Sequence, residues 1–181
     1  MAMAPRRDRN AKPRRSKGEP SEAELDFMIH AEKILAGYRA RQKEREANPG
    51  KQPRPPFDQA EGFLKRECYS LIRNCISGKK GAQIIKSIVR RNLIEPPYHR
   101  YADNPYFWGL IAIDAPDQEL GAQRISRYAM QMFYAHQNYV PPIHLVGFLY
   151  QIGGHVALRE IRSDARKHPS LTMASLDEYW G

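Results

Sequence analysis

Apolar residues in this chain recur at three- and four-residue intervals, and prolines and glycines cut that pattern into short lengths. The first property selects helices over strands, whose period is two. The second divides the chain into several separate helices, with no heptad run long enough for a coiled coil. Together they predict an all-α protein: a compact domain of about five or six helices, including one basic αα-hairpin.

The pattern begins at Ser21. With Glu24 this serine forms an S-x-x-E capping box, followed by Leu25, Met28, Ala31, Ile34, Leu35 and Tyr38 at helical spacing. The helix is expected over 21–47, closed by Asn48-Pro49-Gly50, and to lie outside the main domain. Residues 48–56, ending in KQPRPP, read as an extended proline-rich linker. The domain itself is assigned to 57–181. Asp58 and Glu61 make a second capping box, and Leu64, Cys68, Leu71, Ile72, Cys75 and Ile76 form one apolar stripe.

Ser77-Gly78-Lys79-Lys80-Gly81 turns the chain into a shorter helix with Ile84, Ile85, Ile88 and Val89 inward. Asn104-Pro105 is an N-cap followed by a first-turn proline, so Tyr106–Ile113 reads as a short buried helix, with a buried strand as the alternative. Asp114 and Pro116 are expected to start the next helix, carrying Gly121, Ile125, Tyr128, Ala129, Met132 and Phe133 on one face. Pro141-Pro142 starts another, through Leu145, Phe148, Leu149 and Ile152 towards Val156 and Ile161, with a kink at Gly153-Gly154. A last amphipathic turn is expected over 171–180. The uncharged run Tyr139–Leu158 holds two prolines, two histidines and paired glycines, which argue against a membrane span and a membrane partner.

Charge is the informative part of the composition. The chain has 29 Lys and Arg against 20 Asp and Glu, a net charge of +9, and a pI near 9.7 with a mean hydropathy of −0.68. The excess is unevenly placed. Residues 1–20 carry Arg6, Arg7, Arg9, Lys12, Arg14, Arg15 and Lys17 with three prolines, a composition expected to form a disordered basic arm. From Lys65 to Arg91 there are eight basic residues and one acid, whereas from Asn92 onward acids outnumber bases by nine to seven.

This segregation points to the phosphate backbone of DNA or RNA, which a cationic cluster binds by releasing counterions without reading bases. The candidate contacts are Lys65, Arg66, Arg73, Lys79, Lys80, Gln83, Lys86, Arg90 and Arg91. The hairpin has the outline of a helix-turn-helix, in which Gln83 would face a groove. Tyr98, Arg100 and Tyr101, in a proline-bounded loop, could stack on unpaired bases.

Cys68 and Cys75, seven residues apart, share an apolar face and are expected to be inert thiols of a reducing compartment, cytoplasmic or associated with nucleoid or nucleus. His136, His144 and His155 lack a nucleophile or carboxylate at readable spacing, and no phosphate loop or metal-ligand motif is present. The expectation is a non-enzymatic protein without cofactor or metal, binding nucleic acid and other protein subunits as a small part of a nucleoprotein assembly. The alternative is an adaptor or inhibitor subunit for an acidic protein, with Met130, Met132, Phe133, Tyr134, Tyr139 and Tyr150 as its surface.

Overall fold

The computed structural model describes residues 19–51, 54–92 and 103–153. These form six α-helices and a 3-10 turn, with no strand among the described residues. The helices are α1 (Glu22–Ala47), α2 (Ala60–Ser77), α3 (Gly81–Arg91), α4 (Pro105–Asp114), α5 (Gly121–Gln137) and α6 (Leu145–Gln151); the 3-10 turn Pro142–His144 precedes α6. The basic arm over 1–18, the loop with Tyr98, Arg100 and Tyr101, and the chain from Gly154 onward lie outside the described residues.

The capping box of α1 forms as its sequence demands. The Glu24 N–H donates to Ser21 Oγ at 3.3 Å, and the Ser21 N–H donates to Glu24 Oε2 at 2.6 Å. The inward face is largely the expected one, with Phe27 added, Met28 partly buried and Leu25 left out. Phe27, Ala31, Ile34, Leu35 and Tyr38 are buried, whereas Leu25 is exposed. That face joins the same apolar core as the other helices, so the helix expected to lie apart is one of the domain's walls, packed along α2 and against α3 and α4.

Helix α2 starts differently from the expected Asp58–Glu61 box. Gln59 is its N-cap and supplies no side-chain bond. The turn at Pro55 directs the chain instead: its carbonyl accepts the N–H groups of Asp58 at 2.9 Å and Gln59 at 3.3 Å. Neighbours surround α2 on several sides, which explains why Tyr69, off the expected stripe, is as fully buried as Leu64, Cys68 and Ile72.

Helix α4 is the apolar centre. Asn104 Oδ1 accepts the N–H groups of Tyr106 at 3.0 Å and Phe107 at 3.3 Å, and Pro105 occupies the first turn. Six large or small apolar side chains from Tyr106 to Ile113 are buried, leaving no solvated face. Where α4 crosses α2, a Cβ on Gly109 would lie 2.5 Å from Ile72 Cγ1, so the helices approach closer than an alanine permits.

The start of α5 corrects a second expectation. Asp114 ends α4 instead of opening the next helix, and α5 begins only at Gly121. The Asp114 carboxylate accepts the N–H groups of Glu119 at 2.8 Å and Leu120 at 3.0 Å, pinning the intervening loop from inside. Arg39 of α1 grips the same loop, bonding Asp117 and, at 2.8 Å, Glu119 Oε1. The Pro141-Pro142 start of the last segment matches expectation, and α6 stops before Gly153, whose φ is +76°. No described helix is long and apolar enough to cross a membrane.

Candidate nucleic-acid interface

The eight cations between Lys65 and Arg91 divide into two groups by what holds them. Four are tied into the fold. Lys65 is partly buried, with Nζ 4.5 Å from the centre of the Tyr128 ring. Burial, aided by the charge of Arg127 and opposed by Glu61, lowers its pKa. Arg66 Nε bonds Glu67 Oε1 at 2.8 Å. Arg73 Nη1 donates to the Val140 carbonyl at 2.8 Å, an oxygen that also accepts from Tyr69 Oη at 2.8 Å. Arg91 Nη2 lies 3.3 Å from Oε2 of the buried Glu24.

The Glu24 carboxyl is held by several groups at once. Burial alone would raise its pKa, but hydrogen bonds from Ser87 and Ser21 and the charge of Arg91 outweigh it, and the net shift is downward. The pair fastens the first turn of α1 to the last turn of α3.

The other four cations are presented to solvent. Lys79 and Lys80 stand in the α2–α3 turn, and Lys86 and Arg90 on α3; all are exposed, and no carboxylate among the described residues pairs with them. Gln83 is also exposed, and Gln83, Lys86 and Arg90 follow at three- and four-residue spacing, one stripe of the helix. Ile85, Ile88 and Val89 fill the opposite side, buried in the core. The turn is tight because Gly81 packs on the end of α2: a Cβ there would lie 1.8 Å from the Cys75 carbonyl oxygen.

Spacing alone did not separate the two groups, because cations of both lie on the amphipathic helices α2 and α3. What separates them is the neighbour each one meets: α5 at Lys65, the Val140 segment at Arg73, Glu67 at Arg66 and Glu24 of α1 at Arg91. A second basic cluster, Arg41, Arg45, Lys51 and Arg54, gathers at the other end of α2, although the sequence presents it as a charged helix end and a linker.

The two thiols and His136 have structural surroundings. Cys68 is fully buried and Cys75 half-buried, with its Sγ 3.6 Å from the Gly81 carbonyl; burial raises both thiol pKa values. Tyr106 stacks on Tyr69, ring centres 5.3 Å apart, and its hydroxyl lies 2.9 Å from His136 Nδ1. Burial and the nearby Arg73 charge lower the His136 pKa, which favours the neutral ring. Among the described residues no three His, Cys, Asp or Glu side chains cluster in a way that could hold a metal ion.

No protein-family model, no curated protein and no solved structure matches this chain.

Proposed function

We propose that this protein binds the phosphate backbone of nucleic acid through the α2–α3 turn and the outer stripe of α3. One observation carries the reading: Lys79, Lys80, Lys86 and Arg90 are exposed and unpaired among the described residues, while the apolar side of the same helix anchors it in the core. Unpaired cations release counterions from the polymer on meeting phosphates, and a helix already anchored in the core needs no backbone ordering to present them. The contacts are to phosphate, with Gln83 the side chain best placed to reach a base edge.

The test is fluorescence anisotropy with labelled duplex DNA, single-stranded DNA and RNA across a salt series, comparing the parent with K79Q/K80Q/K86Q/R90Q. Each lost phosphate contact lowers the salt slope by about 0.9 on duplex DNA, so the quadruple variant loses between three and four units, by order of magnitude. Unchanged affinity and slope in a folded variant would end this reading.

A second reading, a protein-docking subunit of a nucleoprotein assembly, is favoured by a separate patch. Tyr139 and Ile143, before α6, and Tyr150, in its last turn, are 74–78% exposed. Met132, expected on such a surface, is instead in the core. A Tyr139→Ser/Ile143→Ser/Tyr150→Ser variant should keep nucleic-acid affinity and lose association with an acidic protein subunit. Loss of nucleic-acid affinity would instead assign the patch to the first reading.

A further inference from the structure

Helix α2 has basic residues at both ends. Its C-terminal end leads into the turn with Lys79 and Lys80. Its N-terminal end, about 27 Å away at 1.5 Å per residue over 18 residues, meets the last turns of α1 in a cleft of about 200 Å³. The cleft is lined by Arg41, Arg45, Asn48, Lys51, Arg54 and Gln59, with Glu44 as its one acid. At about 30 Å³ per water, it has room for a group the size of a phosphate with part of its hydration.

Three features give the cleft an electrostatic preference. Glu44 is already bound to Arg54, with Oε1 2.5 Å from Nη2, so it neutralises one of the four cations and leaves three. Arg45 and Lys51 are exposed and have no carboxylate partner among the described residues. Arg41 is fixed, its guanidinium carbon 3.7 Å from the centre of the Phe63 ring and Nη1 donating to the Gly37 carbonyl at 3.1 Å. Its Nε is buried without any hydrogen-bond partner. A buried, charged N–H left unpaired is costly.

The backbone adds to this field. Gln59 provides no side-chain cap, so the first N–H groups of α2, an 18-residue helix, have no protein acceptor from that residue. The opposing C-terminus of α1 is partly muted. Asn48 donates its side-chain amide to the Glu44 carbonyl at 3.1 Å and its backbone N–H to the Arg45 carbonyl at 3.2 Å.

We propose that this cleft is a phosphate-binding site, taking a phosphomonoester or phosphodiester group among Arg41, Arg45, Lys51 and Arg54 at the start of α2. The site stands independently of the reading of α3. It is tested by titrating the full chain with inorganic phosphate at constant ionic strength, following Arg Nε–H and backbone amide signals by NMR. The expected result is a saturable shift of the Arg41 Nε–H and the Ala60 and Glu61 amides, weakened about tenfold or more in R45Q/K51Q and in R54Q. The K79Q/K80Q/K86Q/R90Q variant leaves that response intact.

Repeating the titration with a short oligothymidylate separates the sources. Shifts at the same signals identify a nucleic-acid backbone as the ligand, and a response to inorganic phosphate alone identifies a small phosphorylated ligand. The proposal is overturned by the absence of saturation, by equal shifts with chloride, or by an unchanged response in R45Q/K51Q and R54Q with parental helix content. It is also overturned if an oligoglutamate peptide moves these signals at lower concentration than phosphate, because the cleft would then be a protein-docking site.

Discussion

Gly81→Ala and Gly147→Ala are the same chemical change at two helical positions, and their surroundings give them opposite signs. At Gly81 the new Cβ would stand 1.8 Å from the Cys75 carbonyl oxygen, 1.2 Å inside the 3.0 Å below which something must move, and 2.5 Å from the carbonyl carbon. The obstacle is backbone, so the α2–α3 turn has to open, straining the 3.1 Å bond from the Gly81 N–H to the Gly78 carbonyl. A lost turn bond costs about 1 kcal/mol and overpacking about 1–3 kcal/mol, against about 1 kcal/mol gained by removing a helical glycine. The net is a loss of about 1–3 kcal/mol on those magnitudes. At Gly147, exposed within α6, a Cβ meets nothing within 4 Å. Alanine there should stabilise by about 0.5–1 kcal/mol. Urea unfolding of parent and both variants, fitted with a shared slope, reads the two signs directly. G81A has a second readout that rests on the proposed function: opening the turn displaces Lys79 and Lys80, and lower nucleic-acid affinity is the expected outcome under conditions where it is fully folded. A G81A protein as stable as the parent, or a G147A protein less stable, would refute the packing argument at that site.

Three further expectations concern groups that the fold encloses. His136 has a lowered pKa in the folded chain, so the stability it contributes is present above pH 6.5 and lost as pH falls through its folded value; H136Q, which cannot titrate, should flatten that part of a stability–pH curve. Glu24 also has a lowered pKa, with stability present above about pH 4.5 and lost at more acid pH as the carboxylate protonates. E24A should cost about 2 kcal/mol at neutral pH, since it removes charge-assisted hydrogen bonds, and E24Q should remove the acid-dependent loss; a parent curve unchanged by E24Q would contradict the assignment. Iodoacetamide should label Cys75 slowly and Cys68 more slowly still, in keeping with half and full burial; fast native labelling of Cys68 would show α2 turned outward.

Much of the fold was written in local chemistry. The Ser21–Glu24 box, the Asn104-Pro105 start of α4 and the Pro141-Pro142 start of the last segment involve residues within a turn of one another, so their bonds are decided by the sequence around them. The same holds for the isoleucine face of α3, which three- and four-residue spacing places opposite Lys86 and Arg90. The all-helical class and the concentration of positive charge in α2, α3 and their turn were therefore legible from sequence.

What the tertiary structure decided are the features that depend on partners far along the chain. Asp114 looks like the start of a helix, yet it ends one, because its carboxylate satisfies the Glu119 and Leu120 amides in a loop that Arg39 of α1 holds from outside. Glu24 lies in a polar first turn, but Ser87 and Arg91 of α3, far along the chain, help make its burial tolerable. Arg73 and Lys86 read alike as exposed helical cations. Only the arrival of the Val140 carbonyl, 67 residues on, gives Arg73 a structural bond and leaves Lys86 to solvent. The Arg41–Arg54 cleft exists because α1 and α2 pack side by side, bringing a charged helix end and a linker onto one surface. Sequence periodicity fixes which side of a helix is apolar, since that is a property of 3.6 residues per turn. How many sides become buried, and which cations remain unpaired, is set by the neighbours that the folded chain places around each helix.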